Sequence, residues 1–124
     1  MEDVWSKKEL GSRGEALALA TLQQKGYVWL ESNFHTRWGE IDLIMKDQST
    51  VVFVEVKYRR NDHCGEPEES ITALKRKHLH RAALLYVKKH RLYETNLRFD
   101  VVTVDPFGVK HIVNAFYGDG DYYY

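Results

Sequence analysis

The stretch "GEIDLIMKDQSTVVFVEVKYRR", Gly39 to Arg60, holds two apolar runs joined by a polar turn, with charge where a hairpin would bury apolar side chains. "EIDLIMK" alternates: Ile41, Leu43 and Met45 fall on one face of a strand, Glu40, Asp42 and Ile44 on the other. "VVFVEVKY" sets Val52, Val54, Val56 and Tyr58 against Val51, Phe53, Glu55 and Lys57, and "KDQST" turns between the runs. Hairpins commonly close over two residues, here Gln48 and Ser49, or over four, Asp47 to Thr50. Both closures give one register. In it Asp42 is opposite Glu55, Glu40 opposite Lys57 and Ile44 opposite Phe53, all on the same face.

Directly paired residues have Cβ atoms roughly 4.5–5.5 Å apart, and like charges placed that way destabilise a sheet. A divalent cation between Asp42 and Glu55 would reverse the sign, because two hard oxygen ligands with water and a phosphate complete the octahedron that Mg²⁺ takes. Lys57, on the same face, could then orient an attacking water and offset charge on the phosphate. The competing reading is plainer: the carboxylates are solvated on an open sheet face and Lys57 pairs with Glu40. Two features favour the cation. Both strands are otherwise apolar on both faces, as in a sheet covered on both sides, and a third carboxylate, Glu15, comes from a neighbouring helix.

That helix is opened by Ser6 with Glu9 three residues on, a capping box, and runs to about Lys25, where Gly26 is a C-terminal stop. Leu10, Gly14, Leu17, Ala18, Thr21 and Leu22 form its apolar stripe, and Glu15 falls beside it, pointing toward the protein or its rim. "YVWLESN", Tyr27 to Asn33, reads as a strand and "SNFHTRWG" as a connection. After a polar loop with Gly65 and Pro67, a second helix is predicted from about Ser70 to His90, with Ile71, Leu74, Leu79, Ala82, Ala83 and Leu85 on its broad apolar side. Two strands end the fold, "LRFDVVTVD" and "VKHIVNAFY", joined by the turn "DPFG". The order α-β-β-β-α-β-β predicts an α/β protein with a mixed sheet of about five strands. A chain of 124 residues without repeat or linker is expected to be one domain, 1–124, with a fraying tail "GDGDYYY" at 118–124.

No apolar run approaches the roughly 18 residues of a membrane span, and "MEDVWSKKEL" lacks a signal-peptide segment, so a cytoplasmic protein with no membrane partner is expected. A single cysteine, Cys64, agrees with a reducing compartment, and no Cys/His spacing resembles a structural zinc site. Lys+Arg and Asp+Glu are 18 each, so any attraction for a polyanion must be local. From Ser70 to Leu92 there are Lys75, Arg76, Lys77, Arg81, Lys88, Lys89 and Arg91 and no acidic residue. This is a basic surface that could track a nucleic-acid backbone, although a solvated helix face reads the same way.

Asp42, twelve residues, then Glu55-Val56-Lys57 resembles the PD-(D/E)xK nuclease signature, with Ile41 where the proline would stand. The blocks "GSRGEALALATLQQKGY", "NFHTRWGEIDLI", "VFVEVKYR" and "RFDVV", spread over residues 11 to 105, are similar to the YraN family of small bacterial proteins with a restriction-endonuclease-like, Holliday-junction-resolvase-like fold. The resemblance implies Asp42 and Glu55 as ligands of Mg²⁺ or Mn²⁺, the Val56 backbone carbonyl as a third, and Glu15 reaching the metal directly or through water. It implies Lys57 as the catalytic lysine. It further implies a nucleic-acid substrate, DNA before RNA, with a role in repair or recombination, and by analogy a homodimer.

Around that core, Arg37 on the approach to Asp42 could hold a phosphate, or be a surface arginine beside a turn glycine. Glu40 is expected to support Lys57, and Lys75 either to face the cleft or to snorkel over the core edge. Lys88 and Lys89 are the remaining backbone-binding candidates. Asp100 in "RFDVV" reads best as a hydrogen-bonded structural aspartate. Trp5, Trp29 and Trp38 could stack on bases, with core packing or rim exposure the plainer account. The expected function is a Mg²⁺-dependent nuclease, and the alternatives are a non-catalytic nucleic-acid-binding module on the same fold or a protein-interaction adaptor.

Overall fold

The computed structural model describes residues 7–59 and 71–116, with side chains from Gly11 onward. Ser6, Trp5, His63, Cys64, Ser70 and the tail 118–124 lie outside the described residues. The elements are α1 (Lys7–Gln24), β1 (Val28–Thr36), β2 (Gly39–Asp47), β3 (Thr50–Tyr58), α2 (Ala73–His90), β4 (Asn96–Asp105) and β5 (Gly108–Ile112). They build one five-stranded sheet in the order β1-β2-β3-β4-β5. All neighbours are antiparallel except β3 and β4, which run parallel because α2 carries the chain back between them. The mixed α/β architecture and its element order are those the sequence predicts.

The two faces of the sheet bury separate clusters. Ala18 and Leu22 of α1 pack on Leu43, Met45, Val52, Val54, Val102 and Val104. On the other face Leu79, Ala82, Ala83, Tyr86 and Val87 of α2 meet Ile44, Val51, Phe53, Phe99 and Val101. With both faces covered, β3 and β4 read as near-continuous apolar runs. The termini of the helices are well specified. Gly26 (φ 93) follows α1, with Gly26 N–H donated to Gln23 O at 3.0 Å and Tyr27 N–H to Leu22 O at 3.1 Å, the paired bonds of a Schellman stop. Thr72 caps α2, its hydroxyl accepting the Lys75 N–H at 3.1 Å, so that helix begins later than the predicted Ser70.

Several expectations are corrected. Leu17 is 51 % exposed, because the contact line of α1 is made by Gly14, Ala18 and Leu22, with Glu15 and Leu19 half-buried beside them. Leu74 and Leu85 of α2 also face outward. Their places are taken by Val87 and by the inward rings of His80, tilted on Phe99 with centroids 4.2 Å apart, and Tyr86, edge-on to Phe34 and Phe53. Ile41 joins the α2 cluster, not the face of Leu43 and Met45, so the alternation of β2 breaks at Asp42. β1 runs on to Thr36 through the supposed connection and turns over Arg37 and Trp38, where Thr36 pairs with Gly39. β5 stops at Ile112, because Asn114 turns (φ 54) and gives its N–H to Asp100.

Candidate metal centre

The β2–β3 hairpin closes over Gln48 and Ser49, with Gln48 at φ 56, and its paired register runs from Asp47–Thr50 through Ile44–Phe53 to Leu43–Val54. There the ladder ends. Instead of facing Glu55 across a pair, Asp42 reaches over to β3, and its Oδ2 accepts the Val56 N–H at 2.8 Å. This opens a notch at the end of the ladder, and α1 closes on it. A Cβ on Gly14 would lie 3.3 Å from Tyr58 Cδ2, so glycine lets α1 approach the end of β3 and brings Glu15 to the notch.

Carboxylate oxygens of Glu15, Glu40 and Asp42 lie within 4.8 Å of one another. Oxygens bound at Mg²⁺–O distances of about 2.1 Å are separated by about 3–4 Å in an octahedron, so small rotamer changes would bring these three to one ion. Glu40, expected to support Lys57, has different partners: Oε2 accepts from Asn33 Nδ2 at 3.2 Å and Oε1 is 3.2 Å from His35 Nε2. The same Asn33 amide donates to Glu15 Oε1 at 3.0 Å. Asn33 was not singled out from sequence. Its φ of 53 inside a strand, a conformation asparagine tolerates, aims the amide between the two glutamates.

Glu55 is only 6 % exposed. Its Oε2 lies 3.6 Å from both Lys57 Nζ and Lys75 Nζ, while its Oε1 is buried without a hydrogen-bond partner. A carboxylate oxygen in that state is costly unless something binds it. Glu55, expected to share the ion with Asp42, is not among the three carboxylates that lie within 4.8 Å of one another, but its buried unsatisfied oxygen and that all-oxygen cluster are donors of the kind a divalent cation takes. The crowding is visible in Asp42, whose pKa is pushed up to about 8, first by burial and then by the charge of Glu55, against the lowering effect of the Val56 N–H; Glu15 and Glu40 raise it further.

A pH prediction follows from that shift. In the unfolded chain this carboxyl titrates near 3.8, so between there and about 8 the folded protein holds the extra proton. Without metal, stability should therefore fall as pH rises through that window, by on the order of a few kcal/mol, and Asp42→Asn should flatten the fall. Urea midpoints at pH 5 and pH 8 measure it. An unchanged pH dependence in the variant would place the retained proton elsewhere.

Of the other candidates, Lys75 faces the notch through Glu55. Arg37 is exposed and lies over the Trp38 ring at 5.0 Å, with Arg81 of α2 over the same ring at 4.3 Å. Trp38, Gly39, Glu40, Lys75, His78 and Leu79 line a small cleft beside the carboxylates. Lys88 and Lys89 are exposed in the last turn of α2, some 20 Å along the helix from Lys75 by its rise per residue. Asp100 is outside the site. It is fully buried and accepts bonds from Arg98 Nε and Nη2, from the Asn114 N–H and from His111, whose Nε2 lies 2.7 Å away.

The profile of the family described as "Uncharacterised protein family UPF0102" matches residues 14–104. A UPF0102 protein of Syntrophomonas wolfei is 45 % identical over 113 residues, covering 88 % of this chain and 98 % of the relative. One of Geotalea uraniireducens is 44 % identical over 120 residues, covering 93 % and 94 %. The chain belongs to the UPF0102 (YraN) family. Within this UPF0102 chain the matched segment includes every carboxylate of the notch together with Lys57, Lys75 and Asp100. Among the described residues of this family member, no helix is long and apolar enough to cross a membrane.

Proposed function

We propose that this chain is a Mg²⁺- or Mn²⁺-dependent nuclease that hydrolyses a phosphodiester in nucleic acid, with DNA as the first substrate to test. The observation that carries the reading is the buried, unpartnered Oε1 of Glu55 beside the Glu15–Glu40–Asp42 cluster, with an ammonium group from Lys57 at the same carboxylate. Glu55, Asp42 and the two other glutamates would hold the ion, and the Val56 carbonyl is a further candidate ligand. When bound, the ion supplies Lewis-acid polarisation of the phosphate and acidifies water.

The chain's own groups do the rest. Lys57, on the strand that carries Glu55, orients the attacking water and balances charge that grows on the phosphate. Asn33 holds Glu15 and Glu40 in place through its two hydrogen bonds. Arg37, Arg81 and Lys75 give the approach a positive rim, and Lys88 and Lys89 extend it along α2. Replacing Lys88 and Lys89 together by alanine should weaken binding to duplex DNA and reduce its salt dependence by about 0.9 logarithmic units per lost phosphate contact, with the rate at saturation little changed. Filter binding across a salt series measures that slope, and an unchanged slope would remove the two lysines from the interface.

The test of the reading itself is cleavage of labelled single-stranded, duplex and four-way-junction DNA, and of RNA, with Mg²⁺ or Mn²⁺ and with chelator. Metal-dependent cleavage that disappears in Glu55→Gln is the expected result. Tight nucleic-acid binding with no cleavage of any substrate would turn the reading to a binding module on the same fold.

A further inference from the structure

Glu55 carries one negative charge, yet two ammonium groups share its Oε2, each at 3.6 Å. The pair around this carboxylate is thus over-compensated by one positive charge, while the Glu15–Glu40–Asp42 cluster next to it is under-compensated. A divalent ion drawn to the cluster and to the free Oε1 of Glu55 would meet both ammonium groups at close range, where like charges repel strongly. Both then compete with the ion for Glu55.

The two lysines differ in their freedom to leave it. Lys57 stands on β3, two residues from Glu55 in the same strand, and its side chain is 32 % exposed. Lys75 comes from the first turn of α2 on a long flexible stem, is 40 % exposed, and lines the cleft formed with Trp38, Gly39, His78 and Leu79. Next to that cleft the Trp38 ring carries the guanidinium groups of Arg37 and Arg81. A lysine leaving Glu55 in this direction meets Glu40, which also lines the cleft and would be engaged by the ion, and then the cationic rim, where a further anion would hold it.

We propose that Lys75 is a resident stand-in for the divalent ion: it neutralises Glu55 in the metal-free protein, is displaced when the ion binds, and then takes a backbone phosphate of the nucleic acid. The inference rests on the metal-site reading of Glu55. It makes metal loading and substrate grip mutually reinforcing, since each relieves the charge conflict left by the other, and such coupling is reciprocal.

The experiment is Mn²⁺ binding, read by loss of the free-ion electron-spin signal, for the wild type, Lys75→Met and Lys75→Arg, with and without a non-cleavable phosphorothioate oligonucleotide. Lys75→Met should bind Mn²⁺ about tenfold more tightly than wild type in the absence of oligonucleotide, because the competing cation is gone. Lys75→Arg should stay near wild type. In the wild type the oligonucleotide should tighten Mn²⁺ binding several-fold, and in Lys75→Met this enhancement should shrink to the part that direct contact of phosphate with the ion supplies. Equal or weaker Mn²⁺ affinity in a folded Lys75→Met protein overturns the exchange while leaving the metal site standing. Absence of Mn²⁺ binding in all three proteins overturns both.

Discussion

Asp100→Ala should destabilise the protein by about 3–5 kcal/mol, as expected when one partner of a buried ion pair is removed. Asp100 is wholly inaccessible, and the variant would strand the Arg98 guanidinium and the nearly buried His111 ring while leaving the Asn114 N–H without its acceptor. Arg98 would keep Asp47 at 3.1 Å and the Tyr27 hydroxyl at 2.6 Å, which limits the loss without cancelling it. Burial alone would raise the pKa of Asp100, but hydrogen bonds from His111, Arg98 and the Asn114 N–H hold it below the usual carboxylate value of 3.8. Its charged form is therefore favoured by folding. The contribution is present above pH 3.8 and is lost as pH falls through the depressed folded value. Against a domain stability of about 5–15 kcal/mol, the variant should shift the urea midpoint by a large part of its range at pH 7, and by progressively less as pH falls below 3.8. A midpoint within experimental error of wild type at pH 7 would show that the network stabilises little.

The same residue illustrates what a sequence discloses and what it withholds. Its strand was legible in "RFDVV" and Arg98 is a neighbour two residues away, but its other partners, His111 on β5 and the Asn114 N–H on the turn after it, are brought to it only by the β4–β5 pairing. The hairpin was legible in more detail, because Gln48 and Ser49 leave one register and the observed pairs follow it as far as Leu43–Val54. β1 was misjudged at its end for a local reason. A register shift between Trp29 and Glu31 and the positive φ of Asn33 break the period-two pattern that marks a strand.

The notch shows the same division. Asp42, Glu55 and Lys57 could be placed on one face of the hairpin from strand periodicity and one turn, whereas helix periodicity only turned Glu15 inward and the family resemblance alone brought it to the site. That β2 and β3 would part at Asp42, handing the Val56 N–H to its side chain, is a property of the packed sheet and not of either strand's pattern. Glu40 therefore turns to Asn33 and His35 and enters the carboxylate cluster, and Lys75 fills the place beside Glu55 that no local rule assigns.

Lys57→Ala separates chemistry from binding, and its effect should be among the largest at this site. The Lys57 ammonium sits 3.6 Å from Glu55 Oε2 on a strand held rigidly by β4, with Lys57 registered to Thr103. On the proposed reading a group so placed would act at the reacting phosphate and its water, not along the length of a substrate. On the proposed reading its removal should lower metal-dependent cleavage by about 10²–10⁴-fold, the span typical for a positioned proton-transfer or charge-balancing group. Nucleic-acid affinity, which that reading assigns to the rim of α2 and to Arg37, should stay within a few-fold of wild type. Mn²⁺ affinity should not fall, because the substitution takes a positive charge away from Glu55. Stability should change little, since Lys75 still neutralises the carboxylate at 3.6 Å. Single-turnover cleavage at saturating protein, beside equilibrium binding of the same substrate, reads both quantities. Wild-type cleavage in Lys57→Ala would take the lysine out of the mechanism and leave its ion pair with Glu55 as its only role.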